Sequence, residues 1–201
     1  MQIIGTPTSP FTRKVRVVAL EKNIAHEFVV SSPMIDSAEV QAANPLGKVP
    51  VLVRDDGSRL VDSPLIATWL DGLNDTPRLL PRDSRAFEVV RQLEAVVDGV
   101  LDAAVLVRME TLRPEPLRSA EWISWQQGKV HRGLAHLESA ARARRFLVGE
   151  DMTLADIALT CGIAWLEFRF AEHDWRGRYP ATARLAAGML ARPAFGATPM
   201  A

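Results

Sequence analysis

The chain has 201 residues, enough for one large domain or two small ones to bury a core without disulfide or metal staples. Its 24 basic and 24 acidic side chains cancel to a formal net charge of +0, which excludes a global positive field that would recruit nucleic acid or an anionic membrane. One cysteine, Cys161, cannot close an internal disulfide, Met1 is followed by strand-like residues rather than a basic leader, and no apolar tract approaches the roughly 18 residues of a membrane span, so a soluble protein of the reducing cytoplasm is predicted.

Gln2 to Gly5 has the composition of a short strand, and Pro10 to Lys22 has helical spacing, with Phe11, Val15, Val18 and Ala19 on one face. Ser9 stands just before Pro10. That position suits a helix N-cap, because proline at the first helical position loses no needed N–H. It equally suits a hydroxyl that donates to an anion, since the helix dipole and nearby Arg13 and Lys14 would favour negative charge and ease the deprotonation of a bound thiol. The residues alone leave both readings open.

His26 to Val30 reads as a second strand and Ser37 to Ala43 as a short helix. The segment Asn44-Pro45-Leu46-Gly47-Lys48-Val49-Pro50 then puts a proline at the entrance of a strand, where a cis peptide bond is possible. A cis Val49-Pro50 bond would turn the Val49 amide and carbonyl outward to pair with an extended peptide ligand, with Lys48 beside it for a carboxylate. Val51 to Val53 and Arg59 to Val61 flank Asp55-Asp56-Gly57-Ser58, the signature of an antiparallel hairpin. Asp62-Ser63-Pro64 opens a helix from Ser63 to Leu73; Ser63 offers a hydroxyl and a helix-start N–H to a second carboxylate, and Asp62 an acceptor for an ammonium group.

The order β-α-β-α-β-β-α predicts a mixed α/β domain over residues 1–76, followed by a proline-bearing linker over 77–84 and an all-helical bundle over 85–201. Helical patterns run from Arg85 to Leu112, Leu117 to Arg145, Leu154 to Glu172 and Thr182 to Ala191. The third of these is apolar on every side, which implies a central, buried helix containing Cys161. Thr153 and Asp156 form its capping box and Met152 its staple on Ile157, so Asp156 is read as a cap and not a catalyst.

Other chemistry-bearing residues have plainer explanations. His26, His131, His136 and His173 share no metal-ligand spacing. Trp122 and Trp125 fall on one helix face, as core aromatics do, and could alternatively stack a substrate. Arg142, Arg144 and Arg145 suit a helix C-terminus. Arg108 and Met109 could border a ligand pocket or a subunit contact.

Together the segments SPFTRKVRVVAL, NPLGKVPVL, Asp62-Ser63 and GEDMTLADIAL resemble those of the cytosolic glutathione S-transferases, over nearly the whole length. In this resemblance Ser9 stands at the position of the catalytic serine of the tau and zeta classes or the cysteine of the omega class. The resemblance implies a thioredoxin-like first domain binding glutathione as co-substrate through Lys48, Val49, Pro50, Asp62 and Ser63. It also implies a helical second domain shaped around a small electrophile, a homodimer, and no metal. Ser9 would donate its O–H to the glutathione sulfur, and the thiolate would attack an electrophilic carbon or a peroxide, as in detoxification. The sequence departs from the family where it has no cysteine at Ser9, no SSC run, and Asp62 in place of the usual glutamate or glutamine. Exchange chemistry through Cys161 is disfavoured by its place in the apolar helix. A non-catalytic binding or regulatory scaffold on the same fold is the competing reading.

Overall fold

The computed structural model describes residues 1–34 and 37–200. The chain divides into two compact units, Met1–Pro81 with Leu190–Ala201, and Arg82–Met189.

In the first unit, β1 (Gln2–Gly5), α1 (Pro10–Glu21) and β2 (Glu27–Val30) form a β-α-β beginning to a four-stranded sheet, completed after α2 (Ser37–Ala43) by β3 (Val51–Val53) and β4 (Arg59–Leu60), and followed by α3 (Ser63–Asp71). The strand order is β2-β1-β3-β4. β1 pairs parallel with β2, Ile3 opposite Phe28, and antiparallel with β3, Ile4 opposite Val51. Parallel pairing needs a crossover, which α1 supplies. Helix α1 packs against α3 and presents Val15, Val18 and Ala19, each fully buried, while Ile3, Val51 and Leu52 fill the sheet side. This is the thioredoxin-like arrangement. A glycine is required at position 5, because a Cβ there would lie 2.4 Å from Thr12 Oγ1; the end of β1 and the first turn of α1 are in direct contact.

The elements follow the sequence reading closely, with shifts at their ends. Lys22 caps α1 rather than extending it, Val61 lies beyond β4, and α3 stops at Asp71 with Gly72 as its cap. The C-terminal stretch groups with the first unit. Its short helix α9 (Pro193–Gly196), not foreseen from the sequence, packs on α1, and Arg192 makes a two-pronged ion pair with Glu21 at 2.7 Å on each arm.

The second unit is helical. α4 (Ser84–Leu112) starts at Asp83, whose carboxylate accepts the Ala86 N–H at 2.8 Å. Residues Glu115–Leu117 make a single 3-10 turn, and α5 (Ala120–Ala141) begins later than the periodicity suggested because Ser119 is its cap. It also ends earlier: Arg142 is extended, so Arg142, Arg144 and Arg145 lie past the helix and not in its last turn. α6 (Leu154–Arg169) packs on α4 and buries Leu154, Ile157, Leu159, Cys161 and Leu166 to within 1% of full burial, so it is the central helix. Asp156 is its cap, accepting the N–H groups of Thr153 at 2.8 Å and Leu147 at 2.7 Å. α7 (Trp175–Arg178) and α8 (Pro180–Leu190) follow. The start of α8 is capped from α5, where Glu138 accepts the N–H groups of Ala181 and Thr182, both at 2.9 Å.

Candidate active site

Strand register gathers the candidate residues of the first unit at one edge of the sheet. β1 ends at Gly5; β3, antiparallel to it, begins at Val51 opposite Ile4; β4, antiparallel to β3, ends at Leu60 opposite Leu52. Three segments therefore leave the sheet at the same edge: the one carrying Ser9, the one carrying Lys48, Val49 and Pro50, and the one carrying Asp62 and Ser63.

Ser9 is the N-cap of α1. Its backbone is extended (φ −82°, ψ 123°) and its Oγ accepts the Thr12 N–H at 3.2 Å. Capping uses a lone pair of the hydroxyl and leaves its proton uncommitted: among the described residues, the Ser9 O–H has no acceptor. The two readings left open by the sequence are thus compatible in one half-buried side chain, which can cap with its oxygen and donate with its hydrogen.

The expected basic environment is partly absent. Arg13 points away into the first unit, where its guanidinium reaches the Phe195 carbonyl at 3.4 Å and Thr198 Oγ1 at 3.5 Å and lies 5.4 Å from the Phe195 ring centroid. It fastens α9 to α1, and the positive end of the helix itself is what remains to attract an anion at Ser9. Lys14 is 1% exposed. Arg16 lies over the Phe28 ring, and burial together with the neighbouring Arg13 charge lowers its pKa.

The Val49-Pro50 peptide is cis. Asn44 braces the loop before it, a role the sequence reading did not assign. Its Nδ2 donates to the Lys48 carbonyl at 2.8 Å, its Oδ1 accepts the Leu46 N–H at 3.0 Å, and its own carbonyl accepts the Gly47 N–H at 2.8 Å. Gly47 sits at φ +61°, where glycine is at home. An asparagine before a proline is a turn-initiating pair, and that was the available signal. The Lys48 side chain is exposed, and no described residue hydrogen-bonds to the Val49 backbone.

Asp62 and Ser63 are arranged differently from the expectation. Asp62 turns Oδ1 onto the N–H of Ser63 at 2.6 Å and so caps α3. That amide is already satisfied. The Ser63 hydroxyl is fully buried and has no hydrogen-bond partner among the described residues. An unsatisfied buried hydroxyl is costly, about 1–3 kcal/mol, and marks a place where a polar ligand atom is favoured.

In the second unit, Trp122 and Trp125 are surface residues, 39% and 53% exposed, rather than core. Their ring centroids are 5.1 Å apart and Lys129 Nζ lies 3.7 Å above Trp125. Met109 is 43% exposed and Arg108 half-buried. No cluster of three or more histidine, cysteine or acidic side chains among the described residues is built to hold a metal ion.

Comparison with known proteins matches residues 3–78 to the family model for the glutathione S-transferase N-terminal domain and residues 84–187 to that for the C-terminal domain. The Escherichia coli K12 protein described as the uncharacterized GST-like protein YibF is 36% identical over 198 residues, covering 98% of both chains. A glutathione S-transferase of Methylobacillus flagellatus, solved with glutathione bound, superposes with a TM-score of 0.96 at 40% identity, covering 100% of this chain and 99% of that one. A glutathione transferase family member of Pseudomonas fluorescens Pf-5, solved with S-(propanoic acid)-glutathione, gives a TM-score of 0.86 at 34% identity over 98% of each chain.

Proposed function

Because the chain belongs to the glutathione S-transferase family, we propose that it is a glutathione transferase acting through Ser9. Glutathione lies as an extended peptide along the edge that carries the three segments. Its cysteinyl backbone pairs with the Val49 amide and carbonyl beside Pro50, and the Lys48 ammonium meets the glycyl carboxylate. At the γ-glutamyl end, Asp62 accepts from the ammonium and the Ser63 hydroxyl donates to the carboxylate. The sulfur then rests at the positive end of α1, where Ser9 donates its O–H and favours the thiolate over the thiol. The thiolate attacks an electrophilic carbon, forming the C–S bond as the leaving group departs with its electron pair. With a hydroperoxide, the thiolate attacks the outer oxygen, the O–O bond breaks and the inner oxygen leaves as the alcohol after taking a proton. A second glutathione thiol then attacks the resulting sulfenic acid sulfur, closing the disulfide and releasing water. A cytoplasmic homodimer is part of the same reading.

The observation that carries it is the division of labour in the Ser9 hydroxyl: its oxygen accepts from Thr12 N–H at 3.2 Å, and its hydrogen has no acceptor among the described residues. The test is turnover of 1-chloro-2,4-dinitrobenzene with glutathione. Ser9→Ala is expected to lower kcat by about a hundredfold, the scale of losing one donor to a developing anion, while glutathione still raises the Tm of the variant. Unchanged kcat removes Ser9 from the reaction.

One observation favours a second reading, a non-catalytic scaffold on the same fold. Asp62 already occupies the Ser63 amide at 2.6 Å, so one donor for the γ-glutamyl carboxylate is committed. A protein that binds glutathione but turns over neither electrophiles nor hydroperoxides would be that scaffold.

A further inference from the structure

The loop that leads to Pro50 is held by one buried side chain. Asn44 is 3% exposed and follows the last turn of α2, where its own N–H donates to the carbonyl of Val40, a core residue, at 2.7 Å. From that anchor its side-chain amide works in two directions: Nδ2 donates to the Lys48 carbonyl at 2.8 Å and Oδ1 accepts the Leu46 N–H at 3.0 Å. An aspartate could accept from Leu46 equally well, but an ionised carboxylate has no proton to give to Lys48.

We propose that Asn44 is a positioning residue for glutathione: by holding the Lys48 carbonyl it aims the Val49 N–H at the ligand. This role rests on the reading in which Val49 pairs with the cysteinyl backbone. The Lys48–Val49 peptide is trans, and in a planar trans peptide the C=O and the N–H that follows it point in opposite directions. A carbonyl turned inward onto Asn44 therefore turns the Val49 N–H outward. That N–H has no acceptor among the described residues. Pro50 has no N–H at all, so Val49 must supply the donor for the ligand's backbone.

The two ends of the loop are fixed by different ties. Arg59 on β4 donates to the Ala42 carbonyl at the end of α2 and fastens the start of the loop to the sheet. Lys48 is exposed and Val49 half-buried, so at the far end the hydrogen bond from Asn44 constrains the peptide plane more than packing does. Ser9 belongs to another segment, between β1 and α1. The influence of Asn44 therefore falls on the binding of glutathione and not on the ionisation of its sulfur.

Glutathione calorimetry and chlorodinitrobenzene kinetics on the parent, Asn44→Asp and Asn44→Ser test the role. Asn44→Asp retains the acceptor for Leu46 and sets an oxygen against the Lys48 carbonyl. Asn44→Ser loses the donor without adding charge, and decides the matter if the aspartate variant does not fold. In either variant Kd and KM for glutathione are expected to rise about fivefold to tenfold, the scale of one lost hydrogen bond. At saturating glutathione kcat stays within about twofold of the parent, the mark of lost binding common to ground and transition states. Ser9→Ala is expected to show the converse, a fall in kcat with KM little changed. A purely structural Asn44 would lower Tm and the active fraction and leave Kd unmoved; that result, or a fall in kcat at unchanged KM, overturns the proposal. A parent that binds no glutathione overturns the glutathione reading itself, and the role of Asn44 with it.

Discussion

Lys22 and Asp71 meet inside the first unit, Nζ to Oδ1 at 2.8 Å, with side chains 0% and 4% exposed. The pair joins the ends of α1 and α3 and also organises the chain that follows. Lys22 donates to the carbonyls of Asn74 and Pro77, both at 2.7 Å, while Asp71 accepts the N–H groups of Leu79 at 2.9 Å and Leu80 at 3.0 Å. Every polar group in the knot has a partner, the condition under which a buried ion pair is tolerated.

Removing one member strands the other. Asp71→Ala leaves a buried ammonium and two buried amides short of an acceptor, so a loss of about 3–5 kcal/mol is expected, seen as a large fall in the urea midpoint. The double change Lys22→Met with Asp71→Leu removes both charges and is expected to recover part of that loss. A double variant as unstable as Asp71→Ala would show that the amide contacts, and not the unpaired charge, dominate.

The two roles of Ser9 separate by substitution. Ser9→Asp retains an oxygen that caps α1 but brings no proton and adds negative charge where a thiolate would sit. Its Tm is expected to match or exceed that of the parent, whereas chlorodinitrobenzene turnover falls at least as far as in Ser9→Ala. Ser9→Ala itself loses about 1 kcal/mol of stability with the cap. If Ser9→Asp retains parental turnover, the hydroxyl proton has no part in the reaction.

Gly5 sets how closely α1 approaches β1, and with it the position of Ser9. An alanine there would put its Cβ 2.4 Å from Thr12 Oγ1 and 2.5 Å from Thr12 Cγ2. Overpacking of this kind lowers stability by about 1–3 kcal/mol. Adding Thr12→Ala removes both clashing atoms and one buried, unpartnered hydroxyl, so the double variant is expected to melt above Gly5→Ala. Thermal melts of the single and double variants decide it.

Much of this architecture was legible in the chain because it is local. The Asp-Gly turn after Val53, the proline after Ser9 and the Thr153–Asp156 box each fix an element within a few residues. Contacts between distant residues were not legible. Arg13 reads as a cation near Ser9 until the fold shows it bound to Phe195, 182 positions away. Helices α7 and α9, four residues each, are too short to show a period. Glu138 caps α8 from another helix, and His131 finds Tyr179 across 48 positions. At the candidate site the sequence supplied the residue types, but not the turn of Asp62 onto its own neighbour, because a side-chain rotamer leaves no trace in spacing.

Asp156 links capping to pH. Its carboxylate is fully buried and accepts three hydrogen bonds, from the N–H groups of Leu147 and Thr153 and from Thr153 Oγ1. Burial nonetheless outweighs those bonds and raises its pKa above the usual carboxylate value of 3.8. Between the unfolded and folded values the native state holds the extra proton, so the contribution of this group to stability is greatest below the unfolded value and declines as pH rises through the folded one. Asp156→Ala abolishes the cap at every pH and leaves two buried amides unpaired, a loss of about 2–4 kcal/mol. Asp156→Asn retains an acceptor and cannot ionise, so its stability lacks this pH term. The difference in unfolding free energy between the parent and Asp156→Asn, measured by urea titration from neutral pH downward, is therefore expected to shift in favour of the parent as the pH falls. A difference that moves the other way would mean that the three hydrogen bonds hold the carboxylate ionised more firmly than burial opposes it.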